Sequence, residues 1–223
     1  MPTSSPSLKG QLRLRSKHIV WAFIAFMMLY VLQHNERFLI DSTHPAWSHY
    51  EPFKWWLLPH GLAGACAIFL GPMQFSDRLR QKYTKLHRVV GRVYVVGALA
   101  LAPLGAYIQY YEERMGGTRS FSIAAGVDAA LLMLTTAIAF YFAVQRKITL
   151  HRQWMTRSYA IAIVFLEVRV IASIGGWDGN GAAIETIVWT CVAFSVLVGD
   201  VVVQWQELRK TNRPLTARAQ TAD

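Results

Sequence analysis

Charge is what this sequence has least of. Only 16% of its 223 residues are Asp, Glu, Lys or Arg, against 53% hydrophobic, where a soluble domain carries about 25% charged residues. Acidic groups are scarcer still, 13 against 23 Lys and Arg, which leaves a net charge of +10. Cysteine is nearly absent: Cys66 and Cys191 both sit inside apolar blocks. The shortage of charge excludes an ordinary cytosolic enzyme, and the apolar content excludes a disordered chain. Two cysteines exclude a disulfide scaffold, and they read as small core residues. An excess of positive charge in a soluble protein would suggest nucleic acid. Here the basic residues fall in alternate connections, so topology explains them and no nucleic-acid partner is expected.

What is present is a series of long apolar blocks. Crossing a hydrocarbon core of roughly 30 Å takes about 20 mostly apolar residues. Six blocks are candidates, over 18–33, 56–75, 89–110, 121–144, 154–174 and 183–205. The first is the shortest. It follows basic residues as a signal sequence does, but QHNER comes next and no small-residue cleavage site, so it reads as an uncleaved anchor. Eighteen of the 23 Lys and Arg lie in the two tails, in the connections after the second and fourth blocks, or in the first turn of the block that follows each connection (Arg92 and Arg157). Positive charge stays on the cytoplasmic side. The expectation is an all-α, polytopic membrane protein, a single bundle of six transmembrane helices with both termini cytoplasmic, in the cell (plasma or inner) membrane. Its parts are a basic tail over 1–17, the transmembrane domain over 18–205 and a second tail over 206–223. Basic loops on that side suit anionic lipid. Aromatics such as Trp47, Tyr50, Phe53 and Trp56 in the first outer connection suit the headgroup layer.

Polar groups inside a span are costly, so each needs a reason. His60 lies one turn inside the outer end of the second block; His87 and His151 open the third and fifth at the inner side. Each leads a stripe, mostly of small residues, at helical spacing: Gly64, Ala67, Gly71 and Gln74; Gly91, Tyr94, Ala98 and Gly105; Met155, Ser158, Ala162 and Arg169. Such stripes admit either another helix or a flat cofactor. Imidazole holds haem iron and arginine binds propionates. His87 and His151 with Arg88, Arg92, Arg152 and Arg157 therefore make a candidate inner haem b site with the two histidines as iron ligands. His60 is an outer ligand or a hydrogen-bonding group, with His34 or His49 as its partner. This reading is a membrane electron-transfer protein with a quinol or other redox partner.

A second reading starts from the outer-half charges. Asp128 matches Arg169 in depth and is its candidate partner; Glu167 points nearly opposite Arg169 and needs another neighbour, and Asp200 lies in the inner half of the last block. A polar cavity around Asp128, Glu167, Arg169 and His60 would suit a small proton-coupled transporter or permease. A third reading is a non-catalytic membrane subunit whose histidines bond to neighbouring helices.

Three ordered motifs carry a resemblance. PHGLAGACAIFLGPMQF (59–75), HRVVGRVY (87–94) and HRQWMTRSY (151–159) resemble an uncharacterised bacterial membrane-protein family, domain of unknown function 2306, over 55–174 and more loosely into the sixth block. That resemblance implies a multi-span membrane fold and assigns no activity. In layout the chain is also similar to membrane cytochromes of the cytochrome b561 and ferric-reductase kind, helical bundles with histidines at two depths. It departs from them in showing three well-placed histidines rather than four.

Overall fold

Helices form wherever the apolar blocks predict them. The computed structural model describes residues 8–211, and the outermost parts of both expected tails, with Arg213 and Arg218, lie outside the described residues. The helices are α1 (Leu8–His34), α2 (Trp47–Tyr50), α3 (Lys54–Gln74), α4 (Asp77–Lys82), α5 (Thr84–Arg114), α6 (Arg119–Val144), α7 (Ile148–Ala162), α8 (Val164–Gly175) and α9 (Gly181–Thr211). No strand occurs among the described residues.

Five stretches of the described chain are long and apolar enough to cross a membrane: Trp47–Gln74, Thr84–Arg114, Arg119–Val144, Ile148–Gly175 and Gly181–Arg209. At most 44% of the apolar window in any of them is buried. The remainder, including Leu62, Val96, Leu134, Phe194 and Leu197, faces outward, as a lipid-facing wall must. The first expected span differs. Its residues are helical, but the apolar part, Ala22–His34, reaches only about 20 Å at 1.5 Å per residue, because Arg13, Arg15 and Lys17 occupy the preceding turns. The fifth expected span also differs: it begins at Ile148 and is interrupted at Ile163. The final helix runs six residues past the expected boundary at 205, to Thr211.

Neighbours that composition leaves open are now defined. α5 lies between α3 and α6; α7 packs on α6, α9 and α3; α8 packs on α9 and α1. The break at Ile163 thus divides one span into a half that packs at the bundle centre and a half that docks α1. That docking is polar as well as apolar. Tyr30 donates to Ser173 Oγ at 3.1 Å and Asn35 to Asp178 at 3.3 Å, while Ile24, Met27 and Val31 cluster with Ile68 and Leu166.

The small-residue stripes serve close packing. A Cβ at Gly97 would meet the Ala63 carbonyl and Cys66, and one at Gly71 would fall on the Tyr159 ring. Deeper in the bundle, members of two of the stripes meet a residue of a third helix. Tyr94 of α5, Thr136 of α6 and Ser158 of α7 are fully buried, with no measurable exposure. Tyr94 Oη and Ser158 Oγ are 2.8 Å apart, and Thr136 Oγ1 and Ser158 Oγ are 2.7 Å apart. Three helices are joined through one serine hydroxyl. Both cysteines are free thiols.

Removing a buried hydrogen-bond partner costs about 1–3 kcal/mol when the other group is stranded. Ser158→Ala strands two hydroxyls, and Tyr94→Phe leaves the Ser158–Thr136 bond intact. Thermal unfolding in detergent is expected to show both variants destabilised, with Ser158→Ala the more so.

Candidate functional site

Counting along the helices from the hydroxyl triad explains where the histidines go. His87 precedes Tyr94 by seven residues and His151 precedes Ser158 by seven. Seven residues are two turns, so each histidine lies on the same face as its triad member, about 10 Å along the helix. Joining Tyr94 to Ser158 therefore brings His87 and His151 to one level and one space. Both line a cavity of about 1400 Å³ at the basic end of the bundle, with walls from the end of α3, from α4 and from the facing ends of α5, α6, α7 and α9.

The side chains in this cavity are distinctive. Arg80, Arg88, Arg146, Arg152 and Arg209 line it, against one carboxylate, Asp77, which Arg80 holds at 2.7 Å. The Arg209 guanidinium also lies over the Trp205 ring at 4.8 Å. His151 Nδ1 is 2.8 Å from the Ala139 carbonyl. A carbonyl only accepts, so Nδ1 is the donor, and in the neutral ring Nε2 carries the lone pair. His87 Nδ1 and Gln74 Nε2 are buried without a protein partner. Arg146 closes the turn between α6 and α7 at φ 58°, and it is the one non-glycine residue with positive φ among the described residues. The bond from Lys147 N to the Phe142 carbonyl at 2.9 Å completes that turn.

Of the predicted basic residues, Arg88 and Arg152 line the cavity and Arg92 and Arg157 do not. Arg92 points outward from α5. Arg157 Nε donates to Asp200 at 2.7 Å and its guanidinium lies over the Trp154 ring, so Asp200 has its ion-pair partner there. Arg80, Arg146 and Arg209 were legible only as topology charges, since nothing in their spacing tells which turn folds inward.

A second cavity, of about 250 Å³, lies at the opposite end among α1, α3, α5, α6 and the α7–α8 span. His60, Asp128 and Arg169 line it together, and Glu167 does not. The expected Asp128–Arg169 pair is not formed. Arg169 reaches Glu36 instead, at 3.4 Å, because the connection after α1 brings Glu36 to the middle of α8. Asp128 is 5% exposed and its Oδ1 has no protein partner. Glu167 finds the different neighbour that its helical phase demanded: Ser195 Oγ of α9 donates to it at 3.2 Å.

The partners expected for His60 are elsewhere. His34 Nδ1 donates to the Tyr30 carbonyl at 3.1 Å and its ring stacks on Tyr30. His49 is bound to Glu112 at 2.9 Å. His60 Nδ1 itself donates to the Leu101 carbonyl at 3.2 Å, and its ring lies on Gly105, where a Cβ would collide with it. The outer paired-histidine site is therefore not assembled, and Leu101 rather than a second imidazole answers His60. Among the described residues no group of three or more His, Cys, Asp or Glu is placed to hold a metal ion.

A left-handed backbone costs a residue with a side chain about 1–2 kcal/mol. Arg146→Gly is expected to raise stability by about 1 kcal/mol in thermal unfolding, and an unchanged or lowered midpoint would show that Arg146 makes compensating contacts.

A family model described as predicted membrane protein (DUF2306) matches residues 57–203, roughly two thirds of the chain. No curated protein matches, and no solved structure matches.

Proposed function

The chain belongs to this family of predicted membrane proteins, and from that footing we propose that it is a multi-pass redox protein holding haem b in the cavity at its basic end. The observation that carries the reading is that α5 and α7 deliver His87 and His151 to one cavity rich in arginine. The residues fit the group. The His151 ring is oriented by the Ala139 carbonyl with Nε2 left open, and this nitrogen would hold the iron. The His87 ring has a buried nitrogen that no protein atom satisfies. Haem supplies a one-electron iron couple when bound. The protein's part is to present two imidazoles, to pair arginine with propionate carboxylates, and to surround the group with α-helical walls.

Arg88, Arg146, Arg152 and Arg209 are the propionate candidates, since Arg80 already holds Asp77. A concentration of arginine also stabilises the more negative member of any redox or anionic pair in the cavity. An outer haem is not part of this proposal, because His60 has no second imidazole beside it. A transport reading retains one observation in its favour, the cavity around Asp128. It lacks the repeat symmetry and paired broken helices of known transporter architectures.

Expression with ample haem, purification in mild detergent and spectra before and after dithionite test the reading. A Soret band with sharp reduced α and β bands is expected. His87→Ala and His151→Ala should each lose the low-spin spectrum while protein remains folded, and Arg92→Gln, outside the cavity, should keep it. A featureless spectrum from folded protein would overturn the proposal.

We also propose that the basic end faces the cytoplasm, since that is where Lys and Arg concentrate. Fluorescent-protein fusions to the C-terminus are expected to fluoresce, and alkaline-phosphatase fusions there to be inactive. The opposite pattern would invert the topology.

A further inference from the structure

The smaller cavity holds two open hydrogen-bond acceptors in a largely apolar enclosure. Most polar groups at its edge are already engaged: Arg169 with Glu36, and Glu112 with His49. Asp128 and His60 differ. Asp128 is nineteen-twentieths buried, lines the cavity, and carries an oxygen with no protein partner. His60 spends its Nδ1 proton on the Leu101 carbonyl, so its Nε2 is left as an acceptor. Leaving such groups unmet in a low-dielectric bundle is costly, and a ligand with hydroxyl donors would meet them.

Charge and size narrow the ligand. The Arg169 guanidinium on the cavity wall opposes a cation, while Asp128, Glu36 and Glu112 oppose an anion. The wall disfavours an anion, and the two open acceptors select a hydrogen-bond donor. About 250 Å³ accommodates one substituted ring. Phe38, Tyr50 and Phe165 supply aromatic surface, and Gly61 leaves room beside the α3 backbone. Apolar walls from α1, among them Val31 and Leu32, suit a molecule that partitions into the bilayer.

We propose that this cavity is a binding site for a neutral aromatic diol, the chemical class of a hydroquinone headgroup, with Asp128 and His60 accepting from its ring hydroxyls. This site is separate from the arginine-lined cavity, and binding there does not require haem at the other end. The claim concerns binding alone.

Calorimetric titration of the purified full-length protein under anaerobic conditions tests it, with trimethylhydroquinone as probe and its dimethyl ether as the analogue that cannot donate. Saturable binding of the hydroquinone is expected, with the ether at least tenfold weaker. Asp128→Leu and His60→Phe should each weaken the hydroquinone at least tenfold, which is the scale of one lost buried hydrogen bond. Ala129→Phe, which fills the cavity from α6, should abolish binding. Thermal unfolding and monodisperse elution report folding of each variant, and any variant that fails them is replaced in the comparison by the dimethyl ether on the unaltered protein. A decyl-tailed hydroquinone binding more tightly than the tail-less probe supports the site with a bilayer-borne quinol as its source; equal affinity supports it with a free phenol as the source. No saturable binding by the unaltered protein, equal affinity for the ether, or folded variants that bind like the unaltered protein would each overturn the proposal. Because the readout is heat rather than colour, its failure is distinguishable from failure of the haem reading.

Discussion

The hydrogen bonds that join Tyr94, Ser158 and Thr136 set the geometry on which the rest of the bundle depends. Lipid tails are as apolar as leucine, so helices in a bilayer gain little by hiding apolar faces from it, and close packing with interhelical polar contacts decides how they meet. A hydroxyl bonded to two others has few alternative arrangements. Sliding α7 by a turn or rotating α5 by a third of a circle would strand polar groups where no water can replace the partner. The triad fixes rotation and depth of the three central helices together.

Both cavities follow from that constraint. Two turns toward the basic end, the same helix faces carry His87 and His151; about two turns the other way they carry Leu101, whose carbonyl holds His60, and Phe165. The packed layer containing the triad separates the two spaces. Among the described residues, three of the four buried polar atoms without protein partners lie where those spaces are, and the fourth is Asn35 Oδ1 in the connection after α1. His87 Nδ1 and Gln74 Nε2 belong to one, and Asp128 Oδ1 to the other. Elsewhere the costly groups are met: Glu167 by Ser195, Arg157 by Asp200, Arg169 by Glu36.

Ion pairing shows how local reasoning goes astray. Depth along a span correctly placed Asp128 and Arg169 in one cavity, and helical phase correctly demanded a separate partner for Glu167. The pair itself went to Glu36, which lies in the connection after α1. A flexible guanidinium chooses among carboxylates by distance and hydration, and a short turn in that connection brings Glu36 closer. His49 and Glu112 are a similar case, 63 residues apart in sequence and bonded through the fold of the same connection.

Sequence alone determined the membrane-protein class, the alternation of helix direction, and the histidines that lead each motif, because hydrocarbon thickness and the cost of moving charge impose patterns readable residue by residue. It also held the seven-residue spacing from His87 to Tyr94 and from His151 to Ser158. Tertiary structure decided what that spacing means. It decided which arginines turn into the cavity, that the first apolar stretch is short within α1, that the Ile148–Gly175 span breaks at Ile163, and that Asp128 stays unpaired. Those outcomes depend on which helix faces touch, and in a bilayer that choice rests on a few buried hydrogen bonds and glycine contacts between residues far apart in the chain.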